Sequence, residues 1–214
     1  LAEIMGMELD AIRVVPSACG GGFGSKLDLS FQPYVALAAW VVGRPARICY
    51  SRGESMRAST KRHPSDIWLA VGCDEIGRIS GFVFDGIFNT GAYASWGPTV
   101  ANRVPIHASG PYVTKDYRAN SVAVHTNAPP AGAFRGFGVP QSAVAQECAF
   151  DLLAEKLGMD RLAFRRLNAL KNGVPTVTGQ VFNSGVGIDD CFAALEDSWH
   201  TAVAFAASFN QSAI

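Results

Sequence analysis

The sequence predicts a mixed α/β protein of the α+β kind. Strand-like segments and glycine-dense loops fill the first two thirds, helical periodicity takes over in the last third, and glycines punctuate the ends of the helices. Residues 1–7, LAEIMGM, read as the tail of a helix. Residues 11–15, AIRVV, form a short apolar run that predicts a strand. Residues 28–42 carry Ala and Leu at helical spacing. Asp28 or Ser30 is the expected cap, Pro33 falls in the first turn, and Gly43-Arg44-Pro45 stops the helix.

Residues 46–50, ARICY, predict a second strand, and the polar residues 51–61 a loop or short helix. Two apolar stretches, 67–73 and 79–88, flank Asp74-Glu75-Ile76-Gly77-Arg78 and predict a β-hairpin. Residues 89–98 read as a loop, 118–125 as a strand and 129–140 as a second glycine-dense loop. Residues 141–157 then repeat apolar positions at three and four and end at Gly158. Asp160 caps a further helix reaching about residue 170. A turn-rich connector leads to a last, alanine-rich helix over 189–209.

Composition narrows the function. The 214 residues are 49% hydrophobic and 17% charged, enough to bury one large core or two small ones. Lys plus Arg equals Asp plus Glu at 18 each, so charge offers no reason to expect nucleic acid or an anionic membrane as partner. The longest apolar run is far shorter than the ~18 residues of a membrane-spanning helix. The five cysteines are widely spaced with no C-x-x-C pair, which argues against a zinc or iron–sulfur site and for reduced, mostly buried thiols. His63, His107, His125 and His200 match no metal-ligand spacing and read as structural.

Two loops carry the chemistry. The first is Gly20-Gly21-Gly22-Phe23-Gly24-Ser25-Lys26, between a strand-like run and a helix. Glycines there free backbone N–H groups for close approach to a ligand. A phosphate-binding P-loop needs Gly before Lys and Ser or Thr after it. Here Ser25 precedes Lys26 and Leu27 follows. A G-x-G-x-x-G dinucleotide loop fails at Ser25. A purely structural turn remains an alternative. The second loop, residues 131–141, sets Arg135 and two aromatics among glycines. Its aromatics suit a flat ring, and Arg135 an anion or a carboxylate.

Together GGGFGSK and GAFRGFGVPQ resemble the molybdenum hydroxylases, the xanthine dehydrogenase and aldehyde oxidase family. Arg62-His63-Pro64, Asn89-Thr90-Gly91-Ala92-Tyr93 and LAEKLGMD at 153–160 look like the family too, and the likeness runs over roughly residues 1–194. The resemblance implies that residues 1–214 are part of a molybdopterin-binding domain truncated at both ends. It implies a molybdenum cofactor, as molybdopterin or its cytosine dinucleotide, with 2Fe–2S clusters and FAD on partner domains or subunits. The implied reaction hydroxylates an aldehyde or N-heteroaromatic carbon with oxygen from water, in the cytoplasm. A non-catalytic truncated remnant is the alternative.

Residue by residue, the resemblance assigns Gly22, Phe23, Gly24, Phe134, Arg135 and Gly136 to the cofactor. It assigns Arg103, Phe137 and Leu27 to the substrate. Xanthine-type enzymes carry Glu where Leu27 stands, so the implied substrate is an N-heteroaromatic, an aromatic carboxylate or an aldehyde rather than xanthine. The family's general-base glutamate matches nothing here. Glu147, Glu155 and Glu196 lie in helical segments of another pattern, so no catalytic residue and no protein ligand to the metal is expected within this chain.

Overall fold

The computed structural model describes residues 1–212, with side chains as far as residue 209. Its elements, in chain order, are α1 (Ala2–Met5), α2 (Gln32–Val42), α3 (Arg52–Ala58), β1 (Ser65–Cys73), β2 (Ile79–Gly91), α4 (Gly97–His107), β3 (Asp116–His125), α5 (Val139–Lys156), α6 (Arg161–Asn168) and α7 (Ile188–Ser212). The three strands form one sheet in the order β1-β2-β3. The α+β class read from the sequence is the class found. The chain divides into two compact units. One comprises Leu1–Asp66, Ile87–Arg103 and Val122–Gly138, and the other Ile67–Gly86, Val104–Ser121 and Val139–Ile214.

β2 is the central strand, and its side chains alternate as a pleat requires. Phe82, Phe84, Phe88 and Thr90 are buried on one face. The β1–β2 hairpin closes where the Asp74 N–H donates to the Arg78 carbonyl at 2.9 Å. Asp74 Oδ1 accepts from the N–H groups of Ile76 and Arg78. Gly77 supplies the positive φ of 91° that this turn demands.

In the first unit, Pro33 lies in the opening turn of α2 and Gly43 ends it at φ 62°. A capping box opens α3: Ser51 Oγ accepts from the Glu54 N–H, and Glu54 Oε2 accepts from the Ser51 N–H. Three expectations are corrected here. Residues 11–15 and 46–50 join no strand. The chain makes a short 3-10 turn at Leu9–Ala11, and both segments then run outside the ladder. β-branched residues favour extended backbone, but a strand also needs a neighbour to pair with. Asp28 and Ser30 do not cap α2, whose N-cap is Phe31 with no side-chain bond. Helix α4, where a loop and then no element was expected, hides behind Pro98 and Pro105. The first falls in its opening turn, and the second removes one N–H from its interior.

The second unit packs as the sequence implies. Gly158 terminates α5 at φ 65°. Asp160 caps α6 by accepting from the Ala163 N–H at 2.9 Å, while its other oxygen accepts from the Trp199 indole at 2.7 Å. Phe150 lies edge-on to both Tyr112 and Phe164, with centroids at 5.1 and 5.5 Å. Burial and the neighbouring Glu147 push the Tyr112 phenol well above its usual range. Arg165 bridges Glu147 at 2.7 Å and Asp151 at 2.8 Å. The buried Asn168 side chain accepts from the Ile79 N–H and donates to the carbonyls of Gly77 and Phe164. The cysteines are free, but Cys19, Cys49, Cys148 and Cys191 are exposed, contrary to the expected burial. Their places on turns and outward helix faces, not their apolar character, decide this.

Candidate functional site

Both glycine loops belong to the first unit. The first is two overlapping turns: the Ser25 N–H donates to the Gly22 carbonyl and the Leu27 N–H to the Gly24 carbonyl, each at 3.1 Å. Phe23 takes φ 51° and Gly24 φ 92°. A side chain on Gly21 would come within 2.6 Å of the Phe23 ring, so Gly21 makes room for it. The Lys26 ammonium pins the loop from behind, donating to the Gly21 carbonyl at 2.6 Å and to Cys19 Sγ at 2.8 Å. That lysine contact draws the Cys19 thiol below its ordinary pKa. Beside the loop lies a cavity of about 360 Å³ lined by Ser25, Lys26, Ser30, Tyr50, Ser55 and Ser59 among others.

The second loop is held to its neighbours through the backbone. Ala131 pairs with Lys61 in a parallel bridge, and the Gly132 N–H donates to the Lys61 carbonyl at 3.0 Å. The Phe137 N–H closes a turn on the Phe134 carbonyl at 2.7 Å. Gly136, Phe137 and Gly138 then follow with φ of 89°, 50° and 96°.

The two loops meet at Gly24. A Cβ there would lie 2.9 Å from the carbonyl carbon and oxygen of Ala133, so only glycine permits the contact. The Arg135 guanidinium lies 5.8 Å from the Phe23 ring centre. Arg62 reinforces the junction, donating to the Arg135 carbonyl at 2.6 Å and lying over the Phe134 ring at 4.7 Å. Phe137 carries Trp96 edge-on at 6.0 Å and the Arg103 guanidinium at 5.9 Å.

Among the described residues, the three non-glycines with positive φ are Phe23, Ser95 and Phe137. All three sit here, and strain of this kind is held only where the surroundings impose it. Ser95 Oγ donates to Asp28 Oδ1 at 2.8 Å, the role Asp28 plays in place of capping α2. Asp28 Oδ2 and Thr60 Oγ1 are buried without a hydrogen-bond partner. They crowd Gly132, whose Cβ would lie 2.7 Å from Asp28 Oδ2 and from Thr60 Cβ.

The residues singled out from the sequence are thus largely brought together: Phe23, Gly24, Phe134, Arg135, Gly136, Phe137 and Arg103 form one connected set around the Gly24–Ala133 contact. Gly22 faces open space. Leu27 is 63% exposed and stands outside the ring contacts. Sequence reasoning missed the parts played by Arg62, Asp28, Ser95 and Trp96. For Arg62 the signal was present in Arg62-His63-Pro64. For the others only the folded chain shows the juxtaposition. The three helical glutamates are engaged in the second unit: Glu147 with Arg165, Glu196 with Arg166, and Glu155 with Arg161.

Residues 1–169 match the family model of the molybdopterin cofactor-binding domain. The chain belongs to this family. It is 41% identical over 188 residues to the nicotinate dehydrogenase large molybdopterin subunit of Eubacterium barkeri, covering 88% of this chain and 44% of that protein. It is 33% identical over 180 residues to the aldehyde oxidoreductase of Megalodesulfovibrio gigas, covering 84% of this chain and 20% of that one. The structure superimposes on aldehyde oxidoreductase from Desulfovibrio gigas with a TM-score of 0.82 and 31% identity, over 88% of this chain and 21% of that one. The chain therefore spans less than half the length of these curated relatives.

The geometry fits the family's cofactor. Among the described residues, the N–H groups of Gly22, Phe23, Gly24, Arg135 and Gly136 have no protein acceptor. Successive unspent N–H groups in turns with positive φ make a concavity suited to electronegative atoms. Phe23 is 61% exposed.

Proposed function

We propose that this chain supplies one wall of the molybdopterin site of a molybdenum hydroxylase acting on an N-heteroaromatic or aldehyde carbon. The observation that carries this reading is the junction of two strained glycine loops at Gly24 and Ala133. The bound cofactor supplies the two-electron redox chemistry. The chain supplies position and polarisation. The unspent N–H groups of Gly22 to Gly24 hold the metal end of the cofactor, and Phe134, Arg135 and Gly136 hold the pterin through the main chain. Phe137, braced by Trp96, stacks on the substrate ring. Arg103 over that ring orients an anionic or electron-rich substituent and stabilises negative charge developing on it.

The lack of a carboxylate at position 27, rather than any contact made by Leu27, bears on the choice of substrate. An apolar residue at this position, together with Arg103, suits an aromatic carboxylate, and nicotinate is the substrate named for one relative. The general base, the iron–sulfur clusters and the flavin lie in further segments or partner subunits. The cytoplasm is the expected compartment, and among the described residues no helix is long and apolar enough to cross a membrane.

Molybdenum and pterin content test the proposal. The protein expressed with molybdate should carry both, and Gly24→Val should lose both while its second unit unfolds normally. A well-folded wild type carrying neither would favour the non-catalytic remnant. In the complete enzyme, nicotinate should be hydroxylated with label from ¹⁸O water, and Arg103→Met should raise KM for nicotinate more than for an uncharged aldehyde.

A further inference from the structure

The second unit holds a cavity of about 630 Å³ that the proposed reaction does not use. Arg78, Lys115, Arg166 and Lys171 contribute to its lining, with Val113 and Leu167 as apolar wall. Arg166 is neutralised by Asp189 and Glu196. Among the described residues, Arg78, Lys115 and Lys171 have no carboxylate partner. The one acid in the lining, Asp74, is held by its Oδ1 to two backbone N–H groups of the β1–β2 turn and offsets one of these charges. Three cations without an ion-pair partner and one carboxylate therefore line the cavity, an excess of positive charge in a chain whose formal net charge is zero.

The cavity rests on a fixed floor. Asn168 also lines it, and its side chain is fully bonded within the core. The Asn168 carbonyl accepts from the Val113 N–H at 2.8 Å, and the Leu170 N–H donates to the Pro111 carbonyl at 2.9 Å. Those bonds hold the backbone beside Lys115 and Lys171. A volume of this size is that of a small-molecule site, and an apolar wall beside a fixed cationic rim suits a ring bearing an anionic group. With Asp74 offsetting one of the three cations, a single ligand carboxylate still leaves positive charge unanswered, whereas a phosphate ester or diphosphate carries two or three negative charges.

We propose that this cavity binds a phosphorylated small molecule of nucleotide size, its phosphates among Arg78, Lys115 and Lys171 and its ring against Val113 and Leu167. The site is independent of the glycine loops, none of whose residues line it.

Calorimetric titration of the purified protein with ADP, inorganic pyrophosphate and adenosine tests this. ADP should bind saturably at one per chain. Pyrophosphate and adenosine should each bind at least about tenfold more weakly, a difference of about 1.4 kcal/mol. Lys171→Gln should weaken ADP by about tenfold, while Arg118→Gln, which removes a cation outside the cavity, should leave it unchanged. No saturable binding of ADP up to about 1 mM would overturn the proposal. Equal loss in the two variants would too, since it would show a general charge effect. Pyrophosphate binding as tightly as ADP would overturn the assignment of a nucleotide-sized ligand.

Discussion

Helices α2 and α5 are buried in the reverse order of their apolar content. α5 buries Ser142, Gln146, Phe150 and Ala154, one residue per turn along a single stripe. α2, QPYVALAAWVV, is almost wholly apolar and buries nothing, with Tyr34, Trp40, Val41 and Val42 among its exposed side chains. The same contrast separates the two units. The second carries an aromatic core of Phe82, Phe84, Phe150 and Phe164 and a bonded asparagine at its centre. The first holds the strained residues and the unspent N–H groups, fixed by backbone bonds together with polar and ring contacts from Lys26, Arg62, Ser95 and Trp96. One unit is organised to be stable, and the other to present a surface. Apolar composition alone does not distinguish them.

The largest expected effect sharpens that contrast directly. Phe164→Ala removes a fully buried ring and should cost about 3–5 kcal/mol in urea unfolding. Trp40→Ala in α2 should change stability by no more than about 0.5 kcal/mol, because its side chain is largely exposed. Asn168→Leu follows. It leaves the Ile79 N–H and the Gly77 carbonyl buried without partners and should cost about 2–4 kcal/mol, read from the same transition.

Gly24→Ala is next. It places a Cβ 2.9 Å from the Ala133 backbone at φ 92° and should cost about 1–3 kcal/mol. Amide exchange should locate that loss in residues 20–27 and 131–138 and leave α5 and α6 as they were. Equal loosening of α5 would break the distinction between the units.

The smallest effect is in pH. His63 is buried, and burial, aided by the Arg62 charge, holds its pKa below the usual 6.5. The unfolded chain then binds a proton more readily than the folded one. The His63 contribution is therefore complete above pH 6.5 and is lost as pH falls from there toward the folded pKa. His63→Gln should flatten this limb in unfolding measured between pH 5 and 7. An unchanged slope would show that other groups govern it.

Much of the fold was legible where local chemistry is decisive. The hairpin turn at Asp74–Arg78, the stop at Gly158 and the Asp160 cap each follow from a few neighbouring residues. Residues 11–15 and 46–50 were misread because pairing depends on a partner strand that local sequence does not specify. α4 was hidden by its two prolines. At the site, the loops were legible from their glycines and aromatics. The Asp28–Ser95 bond spans 67 positions, so nothing local announced it, and helix capping is the commoner role for an aspartate at that position.

Hydrogen exchange at the two glycine loops on reconstitution with molybdopterin tests the central claim most directly. Binding should protect residues 22–24 and 134–136 together, with the same dependence on cofactor concentration, and Gly24→Val should abolish both. Protection confined to one loop, or two loops saturating at different concentrations, would contradict a single shared wall.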